Sequence, residues 1–377
     1  MTTRRFNIQY FIYYLGMGVY FPFIGLYFEN NLGFTGSQIG TILGMGPIIM
    51  MISLPLFGMI SDKSKKPKMI IFVLTVVASI LAILIRFNFS FASVLLIILL
   101  FEFFKGPLMH LNDSLTMKII KRYKFNYSGI RTYGSIGFIV GSLVIGYLIK
   151  DIGLDSMFLF VSLSIILSGL IVLSFPVVEV EKDQVSMKRE LPKLITNRNF
   201  IFIILIACLT FVTSDIENAY NGIFISKLGG SMKQVGYATI FTVFFELVLM
   251  RYNKKLLDKF GLKKVLFMAV LAVSIRYIVS FLSVNIWMFY IAISMHGVAV
   301  ALVLPTALFY ISGIVPKRLN ATAIAFYGSI SALIRAIISF GTGYIYQQSN
   351  LQSAYLAVGI LSLLAIPLIT YLKPIND

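Results

Sequence analysis

Apolar runs of about 20 residues recur from one end of this chain to the other, each long enough to cross roughly 30 Å of hydrocarbon. Of the 377 residues 58% are hydrophobic and 12% charged, about half the charged fraction of a soluble domain. A soluble chain of this length would divide into domains with polar surfaces, which this composition does not supply. Twelve spans fit the pattern, at about 6–28, 37–60, 69–89, 92–116, 128–149, 155–176, 199–226, 234–251, 264–283, 286–312, 320–345 and 353–372. The expected fold is an all-α integral membrane protein of twelve transmembrane helices.

The net charge of +17 points to topology rather than to nucleic acid, because the basic residues form short clusters between apolar runs. With a cytoplasmic N-terminus, the clusters Lys63, Lys65, Lys66, Lys68; Lys118, Lys121, Arg122, Lys124; Lys254, Lys255, Lys259, Lys263, Lys264; and Lys317, Arg318 all lie inside. Lys150, Lys227 and Lys233 are among the few on the opposite side, the asymmetry that sets orientation through short loops. Arg4 and Arg5 precede an apolar run with no small-residue cleavage site, so the run reads as the first helix and not a signal peptide. Both termini are then cytoplasmic, in a multi-pass protein of the cell membrane. The single cysteine, Cys208, permits neither a disulfide framework nor a Cys-based metal site.

Residues 177–198 form the one long polar stretch, dividing an N-terminal six-helix bundle, 1–176, from a C-terminal one, 199–377. The halves repeat. Asp62-Lys63 recurs as Asp258-Lys259, Tyr133-Gly134-Ser135-Ile136 as Tyr327-Gly328-Ser329-Ile330, and Gly146-Tyr147 as Gly343-Tyr344, all at offsets of about 195 residues. A duplicated bundle is the arrangement in which transport folds place substrate between halves.

Ionisable side chains in hydrocarbon cost several kcal/mol, so they face the bundle interior and mark solute or proton pathways. Here they are Glu102, Lys105, His110 and Asp113 on the fourth helix, Arg131 on the fifth, and Asp215, Glu217, Glu246, Arg276, His296 and Arg335 in the second half. At about 100° per residue, Asp113 lies within about 20° of Glu102, giving the fourth helix one polar stripe. A helical hairpin brings Asp113 and Arg131 to comparable depth, as a ligand-binding ion pair or a bridge locking two helices. Glu246, Arg276 and His296 sit mid-span on consecutive helices, where a carboxylate near a cation can gain and lose a proton as that partner moves; structural charges and a satisfied core histidine are the alternatives. Lys105 and Glu102 read as a neutralising pair at i, i+3, and Arg86 and Glu29 as snorkelling ends. Gly137, Gly141, Gly328, Gly341 and Gly343 permit close helix approach, and Pro22, Pro47, Pro55, Pro107 and Pro305 can kink helices that move. The sequence carries no P-loop, dinucleotide fingerprint or HExxH and only two His, so no cofactor, no metal and no enzymatic chemistry is expected.

Gly58-Met59-Ile60-Ser61-Asp62-Lys63 resembles the GxxxD(R/K) loop signature of the major facilitator superfamily. MGVYFPFIGLYF, SLPLFGMISDK, GIRTYGSIGF, SIRYIVSF and SAYLAVG make the whole chain similar to the branch of lactose permease and the 3-phenylpropionate transporters. The resemblance implies sugar-binding roles for Asp113 and Arg131, and proton-coupling and affinity roles for Arg276 and His296. It matches Glu246 to a helix-eight acid and Asp215 to a helix-seven aspartate. Ala299 stands where lactose permease carries its principal proton-bearing glutamate, and Phe138 where it has a sugar-stacking tryptophan, so coupling falls to Glu246, Asp113 or Asp215.

The expected function is proton-coupled symport of a small polar or anionic organic solute by a monomer in the lipid bilayer, through alternating access. Proton-driven drug efflux and a non-transporting receptor or lipid-handling protein are the alternatives. Asp62, with Gly58 and Lys63, is expected to gate as a conformational latch, since its loop lies outside the hydrocarbon.

Overall fold

The protein, here a computed structural model, is described over residues 3–64, 66–87, 90–123, 126–176, 196–316 and 319–373, with the backbone alone at 62, 121–123, 212–218 and 321. Every apolar run forms a helix, because a backbone in lipid must satisfy its own hydrogen bonds. In the first half, α1 (Arg4–Asn31), α2 (Gly36–Ser64), α3 (Pro67–Ile85), α4 (Phe91–Tyr123), α5 (Tyr127–Ile152) and α6 (Leu154–Leu173) follow in order. In the second half, α7 runs on through Arg198–Ala207, a π-helical turn Cys208–Val212, and Thr213–Lys227. It is followed by α8 (Met232–Phe260), α9 (Leu262–Leu282), α10 (Ile286–Ile314), α11 (Asn320–Gln348) and α12 (Leu351–Tyr371). Among the described residues eleven of these helices are long and apolar enough to cross a membrane, and Arg198–Phe211 of α7 is a shorter apolar one. This is a multi-pass, all-α membrane protein.

Asparagine caps start four helices. The side-chain oxygens of Asn126, Asn197, Asn285 and Asn350 accept from backbone N–H groups of the first turns of α5, α7, α10 and α12. The prolines foreseen inside spans do lie inside helices: Pro22 in α1, Pro47 and Pro55 in α2, Pro107 in α4 and Pro305 in α10.

The duplication is visible in matched contacts. Lys68 at the start of α3 donates from Nζ to the Phe175 carbonyl at 2.8 Å, closing the end of α6. Lys263 at the start of α9 donates to the Thr370 carbonyl at 2.9 Å, closing the end of α12. Donor and acceptor are both displaced by about 195 residues, the spacing of the sequence repeat. Each lysine puts a cation on the carbonyl end of a helix, where the backbone dipole favours it.

The contacts divide into two compact units. One holds α1–α6 together with Asn218–Thr239, and the other holds α7 through Glu217 and the chain from Ile240 onward. Most of the polar stretch at 177–198, the boundary expected from sequence, lies outside the described residues. In the first unit α1 is the central helix, packed on α5 and α6. A Cβ at Gly137 or Gly141 of α5 would strike the carbonyls of Phe11 and Leu15, and Gly18 of α1 receives the backbone at Phe138 in return. The two backbones touch because glycine leaves the space.

Candidate functional site

In the first unit, the Asp113 carboxylate of α4 is met from two other helices. Its Oδ1 accepts from the Tyr10 hydroxyl of α1 at 2.5 Å and from the Tyr127 hydroxyl at the start of α5 at 2.9 Å. The two tyrosine rings meet edge to face with centroids 6.4 Å apart. One residue earlier on each helix, Asn112 donates from Nδ2 to Gln9 Oε1 at 3.0 Å, both residues buried. A polar seam thus joins α4 to α1.

Arg131 forms no ion pair with Asp113 here. Its guanidinium lies over the Tyr14 ring, 4.3 Å from the centroid. The cause is the spacing of Tyr10 and Tyr14, one helical turn apart on α1, so that one tyrosine engages the carboxylate and the next receives the cation. Sequence reading matched Asp113 with Arg131 by depth and missed both tyrosines, although the i, i+4 pair in YFIYY was the available signal. Phe138, further along α5, is half-buried.

The other polar group of α4 is as foreseen. Lys105 Nζ lies 2.6 Å from Glu102 Oε1, and the buried ammonium is ringed by Tyr20, Phe21 and Phe101 at 5.2, 5.0 and 5.4 Å from the ring centroids. The aromatic faces supplement the ion pair where water is excluded.

In the second unit, Arg276 of α9 is fully buried, and its Nη1 lies 3.1 Å from Nδ1 of the buried His296 in α10. A guanidinium has no acceptor atom, so Nδ1 must accept, which leaves the ring proton on Nε2. α10 is interrupted at this point: Ile286–Ser294 is one helical stretch and His296–Ile314 the next, with Met295 between. Beside the break, Gly297 lies against the backbone of Phe245 and Glu246 in α8, closer than any Cβ would allow. Glu246, half-buried, is therefore rooted where the interrupted helix meets α8. Helix interruptions of this kind collect at functional positions. Ala299 is fully buried, one turn further along α10.

Asp215 follows the π-helical turn of α7, and its side chain lies outside the described residues, as does that of Asp62. Gly58 stands in open space near the end of α2, and Lys63 is exposed. Among the described residues no group of three or more His, Cys, Asp or Glu could hold a metal ion.

A further set of contacts in the first unit was not legible from sequence. Asn218–Thr239, spanning the end of α7 and the start of α8, is fitted onto α1 and α5 at the end of the helices away from the basic loops. Gly25 abuts the Ala219 carbonyl and Gly222 the Pro22 carbonyl, both without room for a side chain. Ser142 and Thr239 share a hydrogen bond of 2.8 Å, Tyr147 and Tyr237 share another, and Lys227 pairs with Glu29 at 3.3 Å. Glu29 is thus not merely snorkelling, and neither is Arg86, whose Nε lies 2.6 Å from Asp155 Oδ2.

The sequence profile of the family described as MFS_1 like family matches residues 3–357. The chain is 28% identical to the uncharacterized transporter YwbF of Bacillus subtilis (strain 168), covering 96% of this chain and 91% of that one. It is 25% identical to the maltose permease of Geobacillus stearothermophilus, over 96% and 92%. In fold it superposes on a crystal structure of the nucleoside transporter NupG with a TM-score of 0.83, 17% identity and 99% coverage of both chains.

Proposed function

We propose, from the premise that this chain belongs to the MFS_1 like family and is a major facilitator superfamily transporter, that it carries a small polar or anionic organic solute across the membrane by proton-coupled symport, through alternating access. It would do so in the cytoplasmic membrane, with both termini and the 177–198 linker on the cytoplasmic side. Orientation rests on the basic loops, which retain their lysines on the side where chains are held during insertion. The observation that carries the solute class is the Tyr10–Asp113–Tyr127 cluster with Arg131 laid on Tyr14. It offers a carboxylate acceptor, hydroxyl groups that both donate and accept, and a cation with a fork of donors. Sugars and nucleosides are dense in the hydroxyl groups such a set matches, and Arg131 also suits a carboxylate. The maltose permease and nucleoside transporter among its relatives accord with this class. Arg276, His296, Glu246 and Asp215 are assigned to coupling and affinity, and Gly58, Asp62 and Lys63 to gating.

A thermal-shift screen of purified protein against sugars, nucleosides, aromatic acids and cationic drugs tests the reading, since a ligand of the folded state raises apparent stability by mass action. A shift with a sugar, nucleoside or aromatic acid is expected. It should be lost in Asp113→Asn and in Arg131→Gln while both variants remain folded. A shift with lipophilic cations alone would reassign the protein to drug efflux, and both variants binding like wild type would remove the pair from the site.

A further inference from the structure

A cavity lies in the second unit, at the junction of α8 and α9. Gly261, with φ +75°, turns the chain between the last residue of α8, Phe260, and the first of α9, Leu262. A side chain is strained at that φ, so glycine permits the one-residue turn that brings two lysine-bearing helix ends together. The result is a groove of about 930 Å³, bounded by both helix ends, Phe309 of α10 and Lys373 beyond α12. This is within the size range of about 300–1,000 Å³ in which small molecules bind.

Its lining is divided in character. Four lysines, Lys254, Lys263, Lys264 and Lys373, face one carboxylate, Asp258. The rest is chiefly apolar and aromatic, including Phe309, 60% exposed, and Phe260, 37% exposed. The walls are anchored from behind. Lys263 is fixed on the Thr370 carbonyl, and Asn253 donates to the Ala301 carbonyl at 2.9 Å. The backbone at Lys373 is held on both sides, its carbonyl by the Tyr310 hydroxyl at 2.6 Å and its N–H by Asn199 Oδ1 at 3.4 Å.

We propose that this groove binds an anionic phospholipid, its phosphate headgroup against Lys254, Lys264 and Lys373 and its acyl chains over Phe309, Phe260 and Leu257. The lysines call for an anion. The aromatic and aliphatic wall, at the ends of helices that cross the bilayer, calls for a hydrocarbon continuous with it, which a free phosphate lacks. A zwitterionic lipid is disfavoured because its own ammonium would be set among lysines. The site is separate from the solute cluster and depends only on the chain lying in a membrane.

The test uses the full chain in neutral detergent, titrated with dioctanoyl phosphatidylglycerol, dioctanoyl phosphatidylcholine or inorganic phosphate. The readouts are thermal shift and native mass spectrometry of retained lipid. Saturable stabilisation by phosphatidylglycerol is expected, with the other two probes at least about tenfold weaker. Lys254→Gln/Lys264→Gln/Lys373→Gln should weaken phosphatidylglycerol by about tenfold or more, and a charge-matched control, Lys66→Gln/Lys255→Gln/Lys259→Gln, by less than about twofold. If the first triple variant fails to fold, Lys264→Gln alone should still show a measurable part of the loss. Equal response to phosphatidylcholine, equal response to inorganic phosphate, or an equal loss in the control would each overturn the lipid site.

Discussion

Arg276 and His296 show how a buried charge constrains its neighbour. The guanidinium can only donate, so His296 serves it through an unprotonated Nδ1, and a doubly protonated ring would set two cations 3.1 Å apart. Glutamine can offer an oxygen in place of Nδ1 and leucine cannot. His296→Leu should therefore cost about 1–3 kcal/mol more stability than His296→Gln, read from thermal unfolding of the two purified variants. Equal stability would mean that Nδ1 carries no weight in holding the arginine. Sequence reading found both residues, because charge inside an apolar run is conspicuous whatever the fold. It did not find what Asp113 and Arg131 touch, since Tyr10 and Tyr14 are unremarkable among the 20 tyrosines until α1 is laid beside α4 and α5. Glu29 and Arg86 read in the sequence as snorkelling ends for a related reason. Their partners, Lys227 and Asp155, come from distant segments that no local pattern connects to them.

At the level of elements, hydropathy placed the spans because each is a continuous apolar run, and most helix ends lie within a few residues of expectation, whereas α4 and α8 run on to Tyr123 and Phe260, past the expected 116 and 251. The interruptions stayed hidden. The π-helical turns at Tyr27–Asn31 and Cys208–Val212 and the break at Met295 are one-residue adjustments that a window of 18 or more residues averages away. The fit of Asn218–Thr239 onto α1 and α5 was hidden too, because the glycines that permit it look like ordinary packing glycines in the sequence. Alternating access requires that contacts at one end of the helices part while others form, and this fit is the candidate for parting. Ser142 and Thr239, 2.8 Å apart between hydroxyls, are placed to report on it. A Ser142→Cys/Thr239→Cys protein, oxidised, should lose at least about nine-tenths of its transport and regain it on reduction, whereas each single cysteine should not respond. Undiminished transport in a protein shown to be fully cross-linked would mean that these helices stay together throughout the cycle.

The molecule as a whole is a repeat that has diverged where chemistry is expected. Lys68 with Phe175 and Lys263 with Thr370 keep the same contact at the same spacing, but the buried charges do not follow it. The first unit carries the hydroxyl-rich cluster around Asp113; the second carries Arg276, His296 and Glu246 around a broken helix. Under the proposed proton symport, with Ala299 where the resemblance to lactose permease implies a proton-bearing glutamate, coupling needs another acid whose protonation depends on conformation. We propose Glu246 for that role, because Gly297 presses the α10 break against the α8 backbone at that residue, so any shift of the break alters its surroundings. Glu246→Gln in proteoliposomes should retain solute binding and exchange yet lose accumulation driven by a pH gradient. A static structural charge would behave otherwise: the single variant would be poorly folded through an unbalanced arginine, and Glu246→Gln/Arg276→Gln would recover folding. Gradient-driven accumulation in a well-folded Glu246→Gln protein would remove Glu246 from the mechanism and pass the role to Asp215 or to Asp113, which can take up a proton on Oδ2 while Oδ1 keeps its tyrosine donors from α1 and α5.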